Sequence, residues 1–199
     1  MTEEVYWHQG EVNRRLREKR AGHKSFVVWF TGLSASGKST LAIALEKELF
    51  NQGLQVTVLD GDNVRHGLCS DLGFSPEDRR ENLRRIGEAA KLFLESGTIV
   101  LAAFVSPCRA DREQVRSMMP HGDFVEAYCQ CDVDTCIRRD PKGLYAKAIK
   151  GKIPNFTGIS APYEEPLRPE ITISSGAESV EDGVKKLITL LEDSGKVGI

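Results

Sequence analysis

The stretch FVVWFTGLSASGKST, residues 26–40, sets a β-favouring apolar run against a glycine-rich turn that ends in Lys38, Ser39 and Thr40. Its second part, Gly32-Leu33-Ser34-Ala35-Ser36-Gly37-Lys38-Ser39-Thr40, satisfies the spacing GxxxxGK[ST]. That spacing carries meaning only between a strand and a helix, and both flanks here read that way. Gly32 and Gly37 let the backbone curl so that successive N–H groups and the following helix N-terminus face phosphate oxygens. Lys38 then reaches the terminal phosphates, and Ser39 offers a hard oxygen to Mg²⁺. A glycine turn that binds nothing is the alternative, and the agreement of both flanks disfavours it. The stretch therefore predicts a nucleotide site with ATP as phosphoryl donor.

Working outward, five β-rich segments appear: FVVWF (26–30), QVTVL (55–59), TIVLAAFV (98–105), FVEAYCQC (124–131) and EITIS (170–174). Amphipathic stretches separate the first three. Helices are expected over 38–51, over 76–96 with Ser75 as N-cap and Gly97 as stop, over 109–119 and over 179–192. This alternation predicts an α/β P-loop fold of three layers, a five-stranded parallel sheet flanked by helices. Residues 1–24 read as a charged helical lead-in with a solvated face, and 25–199 as one domain. Between the last two strands, residues 138–166 form a connection too long to be a simple turn, rich in lysine, proline and glycine. A mobile lid is the expectation there, against a merely flexible surface loop.

The chain has 199 residues, 40% hydrophobic and 28% charged, with a formal net charge of -2. That length suits one full α/β core. The charge balance gives no reason to expect nucleic acid as a partner. No apolar run approaches the roughly 20 residues that span a bilayer, and the first twenty residues lack the apolar core of a secretory signal. A cytoplasmic location is expected. Cys69, Cys108, Cys129, Cys131 and Cys136 are five in number. An odd count without an export signal predicts reduced thiols rather than a disulfide framework, and a zinc site lacks a second CxxC pair.

A phosphate loop does not by itself separate kinases from switches and hydrolases. The second strand ends in Leu59-Asp60-Gly61-Asp62-Asn63-Val64-Arg65. Two carboxylates and an arginine thus stand at the carboxyl edge of the sheet, where open α/β folds bind ligands. Asp60 is placed to hold magnesium or to take a proton from an acceptor hydroxyl. The alternative, a polar turn after a strand, loses appeal beside the phosphate loop.

Several motifs now converge: WHQGEVNRRLRE, WFTGLSASGKST, LDGDNVRHGL, LGFSPEDRRENLRRIGEAAKL, SPCRADREQVR, RDPKGLYAKA, and NFTG followed by PYEEP. In their order and spacing the chain resembles the adenylylsulfate kinases over nearly its whole length. DGDNVRHGL together with RDPKGLY is highly specific. The resemblance implies transfer of the γ-phosphoryl group of ATP to the 3′-hydroxyl of adenosine 5′-phosphosulfate, giving 3′-phosphoadenylyl sulfate and ADP in sulfate assimilation. It also implies a homodimer, to which the segment from Val5 to Arg20 could contribute.

By the same resemblance, Arg65, Arg79 and Asn82 grip the phosphosulfate and ribose side, and Phe74 and Phe156 sandwich the substrate adenine. Residue chemistry alone leaves the two phenylalanines as core or loop anchors. Arginine supplies a planar fork for phosphate or sulfate oxygens, and Arg79 and Asn82 fall near the start of their helix, where the dipole favours an anion. Arg84 and Arg85 read as a charged surface. Ser106, after the third strand, matches a serine proposed in the family to carry a phosphoryl intermediate. No base is visibly paired with it, so substrate contact is the preferred role. Arg139, Asp140, Lys142 and Gly143 lie in the lid motif, with Arg139 assigned to the nucleotide, and Asp62 and Lys142 to the acceptor. The metal would rest on Ser39 and Asp60.

Three positions depart from the family pattern. Ala35 stands where glycine is frequent, a change that is harmless at negative φ. Cys108 replaces an aromatic residue or histidine, and Ile159-Ser160-Ala161 replaces a more acidic stretch. A kinase for another nucleotide or small alcohol is the nearest alternative function. A catalytically silent nucleotide-binding domain is a further one, disfavoured by intact Lys38, Ser39, Asp60 and Asp62.

Overall fold

A computed structural model describes Tyr6, His8 and residues 10–198. The elements run α1 (Arg14–Ala21), β1 (Val27–Thr31), α2 (Lys38–Asn51), β2 (Val56–Asp60), α3 (Pro76–Glu95), β3 (Ile99–Ala103), α4 (Arg109–Ser117), β4 (Phe124–Cys129), α5 (Val133–Arg139), α6 (Leu144–Ile149), β5 (Ile171–Ile173) and α7 (Val180–Asp193). The five strands form one parallel sheet in the order β2-β3-β1-β4-β5. The expected sheet is therefore present. Among the described residues, no helix is long and apolar enough to cross a membrane.

β1 is an unbroken apolar run because both of its faces are covered. Phe26, Val28 and Phe30 pack with Leu41, Leu45 and Leu49 of α2 and Leu187 and Leu191 of α7. Val27 and Trp29 point the other way, onto Leu83, Ile86, Ala90 and Leu94 of α3 and Val115 of α4. The period of two along the strand thus splits one sequence run between two cores. Strand order reverses at β1, whose neighbours are β3 and β4. The crevice beyond its carboxyl end is where such sheets take ligands, and the glycine turn lies there.

The helix starts obey their signals. Ser75 caps α3 by accepting from the Asp78 amide at 3.1 Å, with Pro76 in the first turn. Ser179 caps α7 in the same way. α4 stops at Ser117, two residues short of expectation.

The lead-in corrects one expectation. Of its charged residues, Arg14 and Glu18 are not a solvated face: Arg14 bonds Glu18 at 3.0 Å, Asp123 at 2.5 Å and the Ser25 carbonyl at 2.6 Å. Their network fastens α1 to the start of β1. Apart from Tyr6 and His8, the lead-in before Gly10 lies outside the described residues.

Residues 138–166 contain α5's last turn, all of α6 and an extended return. A third small core, Leu33, Cys131, Cys136, Tyr145, Ala148 and Phe156, lies beneath them and touches the glycine turn through Leu33.

Candidate active site

The glycine turn leaves β1 at Thr31 and enters α2 at Lys38. Gly32 has φ +148, and a Cβ there would stand 2.6 Å from the Cys129 carbonyl oxygen, so no other residue fits. Gly37, φ +93, is the left-handed residue that opens α2. Ala35 also adopts positive φ, +60, which removes the condition under which its methyl is harmless. A left-handed alanine is strained where the family's frequent glycine would not be.

Lys38 is buried and donates to the Leu33 carbonyl at 2.6 Å. Burial pulls its ammonium down to about 8. Ser36 is fully buried and its Oγ has no partner among the described residues. Ser34 presents its carbonyl to the Tyr145 hydroxyl at 3.0 Å, which fastens the turn to α6. Ser39 lies half-buried and Thr40 is exposed at the start of α2.

Asp60, the last residue of β2, stands between two donors. Its Oδ2 accepts from Ser39 Oγ at 2.6 Å, and its Oδ1 from the Asp62 amide at 2.9 Å. Strand pairing explains this reach: β2 lies two strands from β1, and its carboxyl end faces the same crevice. Two oxygens from a hydroxyl and a carboxylate form the hard-ligand pair that suits Mg²⁺ completed by phosphate and water. Asp62 pairs with Lys142 across the crevice, joining the β2 turn to the lid motif.

Arg65 and Arg79 approach each other, and neither forms an ion pair among the described residues. Arg65 donates to the Leu72 and Gly73 carbonyls at 3.1 and 2.8 Å, and its guanidinium lies 4.3 Å over the Phe74 ring. Arg79 donates to the Phe74 carbonyl, to Thr157 Oγ1 and to the Asn155 carbonyl, at 2.9, 3.2 and 3.0 Å. Burial chiefly, with Arg65 nearby, lowers the Arg79 pKa. One turn on, Asn82 is buried with Nδ2 unpartnered among the described residues. Two uncompensated cations and an orphaned donor at the start of α3 form a setting that an anion stabilises. By contrast Arg84 and Arg85 are occupied by Glu81 and Asp71, a charged surface as expected.

Phe74 is exposed and lines a cavity of about 180 Å³ with Arg79, Cys108, Asn155, Thr157 and Pro162. Phe156 is buried instead, edge-on to Tyr145 at 5.0 Å, and does not line that cavity. The two rings are thus not brought face to face here. A larger cavity of about 500 Å³ lies under residues 158–165, but its charged lining residues are Asp132 and Glu165. No cation lines it, so the smaller, arginine-lined cavity suits a phosphosulfate better.

Ser106 is buried and left-handed, φ +39. Its Oγ accepts from Trp29 Nε1 at 3.1 Å and donates to Thr31 Oγ1 at 2.9 Å. No base contacts it among the described residues, and its hydroxyl is committed to Trp29 and Thr31.

In the lid motif, Arg139 donates to the Ser175 carbonyl at 2.8 Å. Ser175 itself lies beside Gly37, so Arg139 stands at the α2 end of the glycine turn. Asp140 caps α6 by accepting from the Tyr145 and Ala146 amides. Sequence reasoning passed over Tyr145, Ser175, Trp29, Thr31 and Arg112. Tyr145 lay within a quoted motif, and the small residues after β5 were a signal for Ser175. Arg112 too lay within a quoted motif, SPCRADREQVR, but a polar residue on an amphipathic helix reads as surface.

Comparison with known proteins bears on this site as a whole. The family described as adenylylsulphate kinase matches residues 24–174. The adenylyl-sulfate kinase of Staphylococcus epidermidis is 56% identical over 189 residues, 95% of each chain. That of Thermodesulfovibrio yellowstonii is 57% identical over 190 residues, 96% of this chain and 95% of its own. Among solved structures, the Mycobacterium tuberculosis APS kinase CysC in complex with AMPPNP and APS superposes with a TM-score of 0.81 at 45% identity, covering 85% of this chain and 99% of that one.

Proposed function

The chain belongs to the adenylylsulfate kinase family and is an ATP-dependent adenylylsulfate phosphotransferase, and we propose that its residues divide the work between a donor and an acceptor half. In the donor half, the amides of residues 32–40 cradle the phosphates of ATP, Lys38 moves from the Leu33 carbonyl to the β- and γ-phosphates, and Arg139 flanks the nucleotide. Ser39 and Asp60 would hold Mg²⁺, which neutralises phosphate charge and polarises the transferred group when bound.

In the acceptor half, Arg65, Arg79 and Asn82 bind the phosphosulfate and ribose, and Phe74 stacks on the adenine. Phe156 joins it only if the buried ring turns out toward the cavity. The 3′-hydroxyl oxygen forms the new bond to the γ-phosphorus as the bond to the ADP oxygen breaks, and Asp60 takes the hydroxyl proton. Lys142 and Asp62 separate to admit the substrate, and residues 138–166 close over it, excluding water. Ser106 shapes the acceptor side without covalent attachment. We further place this enzyme in the cytoplasm, where ATP is available, as a homodimer.

The observation that carries this reading is the Ser39–Asp60 contact, which joins the donor loop to the acceptor edge beside unpaired arginines. Incubation of the purified protein with adenylylsulfate, ATP and Mg²⁺ is expected to yield 3′-phosphoadenylyl sulfate and ADP in equal amounts. A folded preparation that binds an ATP analogue but forms no such product, or that prefers another alcohol offered in competition, overturns it.

A further inference from the structure

Arg112 lies in the middle of α4, where hydrophobic spacing would place a surface residue, yet it is buried to 3% exposure. Its guanidinium serves three separate chain segments. Nε donates to Glu126 Oε1 of β4 at 2.7 Å, Nη1 to the Ser106 carbonyl at 2.6 Å, and Nη2 to the Glu164 carbonyl at 2.7 Å. Glu126 anchors the charge: it also accepts from Arg116, which is paired in turn with Glu170.

Further bonds stitch the same two segments together. The Glu164 amide donates to the Pro107 carbonyl at 2.9 Å, and the Arg109 amide donates to Glu164 Oε2 at 2.7 Å. Next to Glu164, the Tyr163 hydroxyl meets Thr31 Oγ1 at 2.9 Å, and that threonine accepts from Ser106. The left-handed backbone of Ser106 persists because Trp29, Thr31 and Arg112 hold it from three sides.

The consequence falls on the acceptor cavity. Pro107 and Cys108 form part of its wall, and Ala161 and Pro162 another part. Arg112 does not line the cavity, but it fixes both parts at once. Arg79 holds the start of the same segment through Asn155 and Thr157. Residues 155–164 are therefore strung between two arginines, one inside the cavity and one behind it.

We propose that Arg112 is a positioning residue for the acceptor: by clamping Ser106 to Glu164 it sets the wall against which adenylylsulfate is held. This inference rests on the function proposed above. Lysine keeps the charge opposite Glu126 but lacks the planar fork that reaches two carbonyls at once. The donor loop makes no bond to Arg112, so ATP binding is spared.

The test compares steady-state constants of the wild type, Arg112→Lys and Glu126→Gln, which removes the charge that anchors the Arg112 guanidinium, each checked for cooperative thermal unfolding. The expected result is a KM for adenylylsulfate raised about tenfold or more in Arg112→Lys, with the KM for ATP held within about twofold, and a smaller shift of the same kind in Glu126→Gln. A purely structural role would disturb both KM values or only the melting temperature. Unchanged KM for adenylylsulfate, or equal rises for both substrates, overturns the proposal. If Arg112→Lys does not fold, Glu126→Gln decides by the same criteria. A wild type inactive on adenylylsulfate refutes the proposed function itself, and the positioning role falls with it.

Discussion

Ser39 Oγ and Asp60 Oδ2 meet at 2.6 Å, although they stand 21 positions apart, Ser39 in the first turn of α2 and Asp60 at the end of β2, a strand that does not pair with β1. This contact brings the end of the phosphate loop onto the first acid of the acceptor motif. Asp60→Ala is expected to lower kcat by about 100-fold or more, the scale on which a lost proton acceptor acts. Binding of a non-hydrolysable ATP analogue without Mg²⁺ should stay within about twofold by calorimetry. A variant with wild-type kcat would remove Asp60 from the chemistry.

Burial of Lys38 makes nucleotide binding sensitive to pH. In the empty protein its pKa lies at about 8, and phosphate oxygens favour the charged form, so binding takes up a proton above that pH. Affinity for the ATP analogue should be flat below about pH 8 and fall by up to about tenfold per pH unit between 8 and 10. The sign for stability is opposite. The unfolded lysine holds its proton until its ordinary pKa, so the Lys38 contribution to the empty fold rises across the same window. Calorimetric Kd values in buffers of different ionisation enthalpy will show whether proton uptake accompanies binding.

Ala35 has φ +60, a region that costs an L-residue about 1–2 kcal/mol, and glycine returns part of that as unfolded-chain entropy. Ala35→Gly should therefore stabilise by about 0.5 kcal/mol and raise Tm by about 1–2 °C. A lower Tm would mean that the methyl contributes packing that outweighs the strain.

Asn82 is buried with an unpartnered amide nitrogen. An orphaned buried donor costs about 1–3 kcal/mol, so Asn82→Leu should leave stability unchanged or raise it. The same substitution should raise the KM for adenylylsulfate about tenfold, because the lost donor is the one left free for substrate. Unfolding curves and acceptor titrations on one preparation separate the two effects. A less stable variant with normal KM would make Asn82 a structural residue.

Strand alternation and caps were legible because they are local. The β1 run, the Ser75 and Ser179 caps and the glycine turn each depend on residues within a few positions of one another, and the five strands and the helices that flank them followed. The Arg14 and Glu18 reading failed for the complementary reason. Their partners Asp123 and Ser25 lie elsewhere in the chain, and a helical charge pattern cannot tell solvent from a distant carboxylate.

The phosphate loop itself divides along this line. Its glycines, Lys38 and Ser39 marked a nucleotide phosphate loop from the sequence alone, since that motif is contiguous and its spacing is the chemistry, while DGDNVRHGL and RDPKGLY carried the resemblance to the adenylylsulfate kinases. Only the tertiary structure decided that Ala35 is left-handed, that the Ser106 hydroxyl is committed to Trp29 and Thr31, and that Arg112 bonds the Ser106 and Glu164 carbonyls behind the arginine-lined cavity. Each of those depends on a backbone angle or on contacts between segments far apart in the chain, and these exist only once the sheet has brought its strands into register.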